Sequence, residues 1–190
     1  MQWILASASP RRKQLLGELI EKFDIIPARG EERLHGEKTP EQVVMALASQ
    51  KAREVANLPT AKGKAVIGSD TVVAIDGEIL GKPQDERDAS DMLSRLSGRA
   101  HEVYTGVCIV YDAGTPKEKT ICQADCTKVF FNELSSSQIR EYIATGSPMD
   151  KAGAYGIQDG GLVEKIEGSF SNVVGLPIEL LKKMLQENGI

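Results

Sequence analysis

Two long β runs in the middle of the chain constrain its fold more than any other feature. Residues 101–111 and 120–131 are rich in β-branched and aromatic side chains, and a polar connection joins them, which predicts an antiparallel pair. Strand and helix patterns alternate on both sides of this pair. The sequence therefore predicts an α/β fold in which a mixed β-sheet with flanking helices forms two lobes around a cleft.

Shorter elements are predicted before and after the long pair. Further strands are expected at residues 3–6, 23–27, 65–75, 78–81 and 162–166. Helices are expected at residues 86–96 and 177–186 and after the candidate N-caps Ser9, Thr39 and Ser135. We expect one domain over residues 1–190, with a boundary between the lobes near residues 28–36 or 130–150.

The charge balance and the hydropathy exclude several classes of protein. The 23 basic and 27 acidic residues give a net charge of −4, which argues against a surface that binds nucleic acid. No segment reaches the roughly 18 continuous apolar residues that span a bilayer. The N-terminal apolar run is too short for a signal peptide and lacks its basic residues. We therefore expect a cytoplasmic protein with no membrane partner.

The cysteines and histidines restrict the chemistry. The odd set of Cys108, Cys122 and Cys126, without a secretory signal, predicts reduced thiols buried among apolar side chains. Cys122 and Cys126 share one face of a strand, but they make a weak metal site because the chain has only two histidines. Histidine-based nucleophilic catalysis is disfavoured for the same reason. Chemistry is expected from carboxylates, lysines, arginines or a metal held by carboxylates.

The first candidate site is the start of the helix after Ser9. Its first turn carries Arg11 and Arg12, where the positive end of the helix dipole disfavours cations. A bound anion would remove that conflict, because helix-start N–H groups and guanidinium groups bind phosphate well, with Ser7 and Ser9 beside them. The alternative is a pair of solvated arginines on the surface.

Acidic residues form the next candidates. Asp70 lies in an apolar β run, where an ionised carboxylate needs a cation or several donors. It is either a catalytic group beside a cleft or a structural acid at a strand end. Glu31 and Glu32 lie in a glycine-flanked loop and are either ligands for Mg²⁺ or Mn²⁺ or solvated surface charges.

Two lysines and a segment of small residues complete the candidates. Lys51 beside an apolar helix face and Lys82 before a proline either reach an oligophosphate or extend into solvent. In residues 149–158 the small side chains allow close approach of a ligand, while Tyr155 could stack and Gln158 could bind a base edge. The alternative for this segment is a tight structural turn.

Several of these segments occur in the order of one known family. Residues 5–12, 68–73, 81–83, 96–99, 150–158 and 174–177 read LASASPRR, GSDTVV, GKP, LSGR, DKAGAYGIQ and VGLP. Together they resemble the Maf family of nucleoside triphosphate pyrophosphatases over nearly the whole chain. The resemblance implies an α/β fold related to the inosine triphosphatase-like group, with two lobes and a deep cleft. The sequence departs from the family pattern at Asp159, where glycine is expected. This departure bears on the shape of the pocket that would hold the base.

The resemblance also implies a reaction and the residues that carry it. dTTP and UTP, with modified pyrimidine nucleotides as further candidates, would be hydrolysed to the monophosphate and pyrophosphate with Mg²⁺, Mn²⁺ or Co²⁺. Asp70 matches the catalytic residue, Glu32 and Asp70 match the metal-site acids with Glu31 as a rival, and a homodimer is expected. The phosphate-contacting positions are Ser7, Arg11, Arg12, Lys51 and Lys82. The positions that mark the dTTP- and UTP-preferring branch are Arg11, Thr71 and Gln158.

Two other functions remain open from the sequence. Proteins of this family are associated with arrest of septum formation, so the chain is also compatible with a nucleotide-binding regulator that acts on cell division through a partner. Release of orthophosphate from the γ position is the second enzymatic alternative.

Overall fold

A seven-stranded mixed β-sheet forms the centre of the fold in a computed structural model that describes residues 1–189. The strand order is β2-β1-β3-β5-β6-β7, and β4 pairs with β3. β1 is parallel to β2 and β3. The pairs β3–β5, β5–β6 and β6–β7 are antiparallel. The strands are β1 (Trp3–Leu5), β2 (Asp24–Ile25), β3 (Ala65–Ile75), β4 (Glu78–Leu80), β5 (Ala100–Tyr111), β6 (Lys119–Phe131) and β7 (Val163–Glu167). The predicted mixed α/β class is thus confirmed.

Six α-helices flank the sheet in the described part of the chain. They are α1 (Pro10–Leu19), α2 (Pro40–Ala56), α3 (Glu86–Leu96), α4 (Ser136–Ala144), α5 (Phe170–Val174) and α6 (Ile178–Glu187). The three predicted N-caps are confirmed, since Ser9, Thr39 and Ser135 each accept a hydrogen bond from a backbone N–H of the first turn. The short α5 and the 3₁₀ turns between residues 147 and 159 were not predicted.

Alternating side chains on the strands separate the apolar interior into clusters. Trp3 and Leu5 of β1 pack in a cluster with α1 and α6, whereas Ile4 packs in a cluster with α2 on the other face. A third cluster lies under α3 and α4, where Leu93 and Ile139 meet the far ends of the strands. Both faces of the sheet are therefore covered by helices.

Two glycines allow α2 to rest directly on the sheet. A Cβ on Gly68 of β3 would lie 2.3 Å from the carbonyl oxygen of Ala48, and one on Gly106 of β5 would lie 2.3 Å from that of Val44. Real Cβ atoms do not approach backbone this closely, so only glycine fits at both positions. This contact brings Lys51 of α2 against β3.

The edge of β3 that faces β1 is interrupted. β1 pairs with residues 65–67 of β3, and β4 pairs with residues 73–75 along the same edge. Between them, residues 68–72 have no strand beside them on that edge within the described chain. Asp70 lies at the centre of this interval, so the interruption opens the sheet next to its carboxylate.

The expectation of reduced thiols is wrong for Cys108 and Cys122, although Cys108 is buried as expected. The register of β5 against β6 places Cys108 directly opposite Cys122, with their Cα atoms 4.1 Å apart, and the two residues form a disulfide. Cys126 is a free cysteine, but it is exposed rather than buried. The pairing depends on strand register, which the number of cysteines does not contain.

Across residues 1–189, every helix is too short or too polar to cross a bilayer.

Candidate active site

A cleft of about 780 Å³ opens where the edge of β3 is interrupted. The start of α1, the loop before α2, α2 itself, β3 and the segment 150–158 all contribute to its walls. All nine candidate residues from the resemblance line this one cleft: Ser7, Arg11, Arg12, Glu32, Lys51, Asp70, Thr71, Lys82 and Gln158. Residues from distant parts of the sequence are therefore brought together around a single ligand-sized space.

The ammonium group of Lys51 joins the two acids of the cleft. Lys51 Nζ donates to Asp70 Oδ1 and lies 2.8 Å from Glu32 Oε1. The side chains of Lys51 and Asp70 are only 19% and 12% exposed, whereas Glu32 is 55% exposed at the mouth of the cleft. The cation that a carboxylate in an apolar strand requires is therefore supplied by α2.

Glu31, the rival of Glu32, points elsewhere. Its carboxylate Oε2 lies 2.8 Å from Arg33 Nη2 in an exposed ion pair. Glu31 is also outside the residues that line the cleft, among those the structure describes. Of the two neighbouring acids, Glu32 is the one that faces Asp70.

The two carboxylates fit a divalent cation of the Mg²⁺ type. Asp70 and Glu32 both reach the same positively charged nitrogen, so their oxygens already converge on one point. Mg²⁺ is commonly held by one or two carboxylates together with substrate phosphates, rather than by a complete protein cage. Within residues 1–189, no cluster of three or more acidic, histidine or cysteine side chains is placed to hold a metal ion by itself.

The start of α1 presents two arginines in different environments. Arg12 Nε donates to the carbonyl oxygen of Gly175 at 2.8 Å and Arg12 Nη2 donates to Thr71 Oγ1 at 3.1 Å. Burial lowers the pKa of the Arg12 guanidinium, and the nearby charge of Asp70 opposes that shift. Arg11 is more open, with Nη1 3.6 Å from Asp150 Oδ2. Arg12 is thus fixed in the wall, while Arg11 lines the cleft and is held only by a long ion pair.

A chain of hydroxyl groups continues behind Arg12. Thr105 Oγ1 donates to the carbonyl oxygen of Asn172 at 2.8 Å, which uses its single hydrogen. The 2.9 Å bond between Thr71 and Thr105 must therefore carry the hydrogen of Thr71, whose oxygen accepts from Arg12. Thr71 has no hydrogen left to donate to a ligand in this arrangement.

The remaining candidates are Lys82 and Gln158. Lys82 and Gln158 are both exposed and line the cleft. Tyr155 is buried, and its hydroxyl is 2.8 Å from His101 Nε2. Burial lowers the pKa of His101 to about 4, so its imidazole is neutral at neutral pH. Tyr155 is consequently a fixed part of the wall, whereas Lys82 and Gln158 remain accessible.

Several residues of this site carried no signal in the sequence. Thr105 is one threonine in a long β run, where the residue type already suits a strand, so its buried hydroxyl bond does not show. His101 likewise lies in the first part of that run. A buried polar residue in an apolar strand is a hint of a hydrogen-bond network, but the partner depends on the fold.

Comparison with known proteins gives consistent results over the whole chain. The family model described as "Maf-like protein" matches residues 2–188. The chain is 50% identical over 183 residues to a dTTP/UTP pyrophosphatase of Thermococcus gammatolerans, which covers 95% of this chain and 94% of that protein. It is 51% identical over 191 residues to a dTTP/UTP pyrophosphatase of Bacillus velezensis, covering 98% and 96%.

Solved structures support the fold. The Ham1 protein of Staphylococcus aureus superposes with a TM-score of 0.54 over 99% of this chain and 100% of that chain, at 14% identity. A HAM1 protein of Coxiella burnetii gives a TM-score of 0.52 over 98% and 99%, at 16% identity. The chain therefore shares its overall fold with these two Ham1 proteins.

Proposed function

The chain belongs to the Maf-like protein family, and on this basis we propose that it hydrolyses dTTP and UTP to the nucleoside monophosphate and pyrophosphate. The observation that carries the proposal is the convergence of Asp70, Glu32, Lys51 and Arg12 on one cleft. A triphosphate matches this arrangement, because cationic side chains bind its phosphate oxygens and a pair of carboxylates can hold the metal ion that accompanies them.

The phosphate chain is held by the cationic side of the cleft. Arg11, Arg12, Lys51 and Lys82 supply four positive charges, and Ser7 lies beside the start of α1. One guanidinium group can donate two parallel hydrogen bonds to a phosphate, and the N–H groups at a helix start add further donors. Because Arg12 is already fixed by Gly175 and Thr71, it pays little conformational entropy when a phosphate arrives.

Glu32 and Asp70 are the residues that would hold a divalent cation, Mg²⁺, Mn²⁺ or Co²⁺, against the phosphates. When bound, such a cation neutralises negative charge on the phosphate oxygens during the reaction. Lys51, which contacts both carboxylates, has to share them with that cation. The side chain of Lys51 is flexible and four carbons long, so its Nζ can move from the carboxylates to a phosphate oxygen.

Asp70 is proposed to orient the attacking water. Its carboxylate is held by Lys51 at the open interval of β3, where one oxygen accepts from the ammonium group. The water oxygen forms a bond to the α-phosphorus, the bond from that phosphorus to the bridging oxygen breaks, and pyrophosphate leaves. The proton of the water passes to Asp70 and then to solvent. Most of the rate enhancement then comes from positioning and charge stabilisation.

The base is proposed to be selected by Arg11, Thr71 and Gln158. The amide of Gln158 offers both a donor and an acceptor, which suits the edge of a pyrimidine base. Thr71 acts differently, because its hydrogen is donated to Thr105 and its oxygen accepts from Arg12. Its contribution is therefore to fix Arg12 and the shape of the wall rather than to donate to the base.

Product analysis over all common nucleotides tests this proposal. We expect dTTP and UTP with Mn²⁺ to yield the monophosphate and pyrophosphate, resolved by ion-exchange chromatography. Orthophosphate and a diphosphate would instead show attack at the γ position. Nucleotide binding without turnover would favour the regulatory alternative.

A further inference from the structure

Asp159 is an exposed residue directly after Gln158 in the chain. Gln158 lines the cleft, whereas the lining stops short of Asp159 among the described residues. Asp159 Oδ2 instead accepts two hydrogen bonds, from the hydroxyl of Tyr142 at 2.5 Å and from Ser147 Oγ at 2.6 Å. One carboxylate oxygen therefore connects the 3₁₀ turn at Gln158 with α4 and with the loop after α4.

Further bonds close this connection into a ring. The backbone N–H of Gly156 donates to the Tyr142 hydroxyl at 3.0 Å. Lys151 Nζ donates to Ser147 Oγ at 2.9 Å. A Cβ on Gly156 would lie 2.8 Å from Lys151 Cε and 3.0 Å from Asp159 Oδ2, so the two side chains close tightly over this glycine. The segment from Lys151 to Asp159 is thus tied at both of its ends.

We infer that Asp159 is a positioning residue that holds Gln158 toward the base through its bonds to Tyr142 and Ser147. The inference rests on the proposed function, because it assigns a support to the base-selecting side of the same cleft. The resemblance predicts glycine at this position, so the support comes from a side chain that the family pattern does not supply.

The electrostatics agree with this role. Burial raises the pKa of Asp159, but the hydrogen bonds from Ser147 and Tyr142, together with the charges of Lys151 and Arg11, leave the pKa below its usual range. The carboxylate is therefore a charged acceptor at neutral pH. Burial and the bond to Asp159 raise the pKa of Tyr142, so its hydroxyl keeps the hydrogen that it donates.

The test separates the base side of the cleft from its phosphate side. Asp159→Ala removes the acceptor, and Asp159→Asn keeps an acceptor oxygen. We expect Asp159→Ala to raise KM for dTTP about three- to tenfold with kcat within about twofold, since one or two hydrogen bonds to a charged group are lost. Asp159→Asn should restore most of the loss. Competitive inhibition by inorganic tripolyphosphate, which has no base, should be unchanged in both variants.

Two further variants complete the experiment. Tyr142→Phe breaks the same bond from the other side, so combining it with Asp159→Ala should add less than the sum of the single effects. Glu141→Ala, an exposed neighbour on α4, is the control and should leave KM unchanged. An unchanged KM for dTTP in Asp159→Ala overturns the inference, as does an equal loss of dTTP and tripolyphosphate binding. Failure of the unmodified protein to hydrolyse any nucleotide would instead overturn the proposed function.

Discussion

Gly106 of β5 lies directly opposite Asp70 of β3, and the space that Gly106 leaves is filled by the backbone of α2 at Val44. The same helix supplies Lys51, whose ammonium group contacts Asp70. The packing of α2 on the sheet and the contact between Lys51 and Asp70 therefore both depend on the absence of a side chain at Gly106. Packing at Gly106 determines how near the cation of α2 comes to the acid of β3.

Gly106→Ala should destabilise the protein and weaken catalysis together. The added Cβ would meet backbone, which has to move, and overpacking of this kind costs about 1–3 kcal/mol. Urea denaturation measures the loss of stability, and pyrophosphate release measures the loss of activity. Gly17→Ala in α1 is the control, because its Cβ would enter open space and alanine favours a helix. A Gly106→Ala protein as stable as the Gly17→Ala control would contradict the packing argument.

Asp70→Asn should abolish turnover while the fold survives. The amide keeps the shape of the side chain and can still accept from Lys51, but it cannot take up a proton or hold a divalent cation as a carboxylate does. We expect pyrophosphate release to fall by about a thousandfold, with the circular dichroism spectrum unchanged. Activity near that of the unmodified protein would remove Asp70 from its proposed role.

Lys51→Met and Glu32→Gln should change the affinity for Mn²⁺ in opposite directions. In the absence of nucleotide, the Lys51 ammonium group competes with a metal cation for Asp70 and Glu32. Removing the ammonium group should therefore strengthen Mn²⁺ binding several-fold, whereas removing one carboxylate should weaken it at least tenfold. Isothermal titration calorimetry without nucleotide measures both changes. Weaker Mn²⁺ binding in Lys51→Met would refute the view that the two cations share these acids.

The stability of the protein should fall below neutral pH because of His101. The folded protein keeps His101 neutral until its pKa of about 4, whereas an unfolded histidine takes up a proton near 6.5. Between these values the unfolded chain binds more protons, so lowering the pH favours unfolding, by about 2 kcal/mol at pH 5. Denaturant unfolding at pH 7.5 and pH 5 measures the loss. His101→Gln should show a loss smaller by that amount, and equal losses in the two proteins would disprove it.

Local signals account for the part of the fold that the sequence predicts well. The start of α1 follows from Ser9 and Pro10, which act within one helical turn, and the long strands follow from extended runs of β-forming residues. The five-residue α5 is too short to display a helical period, so no pattern indicates it.

The cleft is predictable only in part because its contacts join distant residues. A buried charge at Asp70 signals that a cation must exist, and the family resemblance implies that Lys51 is a functional residue. That the two side chains touch depends on how α2 packs on β3, which no local pattern encodes. The bonds of Asp159 to Tyr142 and Ser147 are of the same kind, as is the opposition of Cys108 and Cys122.

The interrupted edge of β3 bears on aggregation through unpaired sheet edges. An open stretch of strand offers unpaired main-chain groups to any other extended polypeptide, and such edges promote aggregation. Here the open stretch is short and lies at the floor of a cleft, and ten of the eleven residues of β3 are buried. An edge that is short and recessed in this way is a poor template for a second polypeptide strand. The position of this edge at the floor of the cleft thus protects its unpaired main-chain groups, as a neighbouring strand does elsewhere in the sheet.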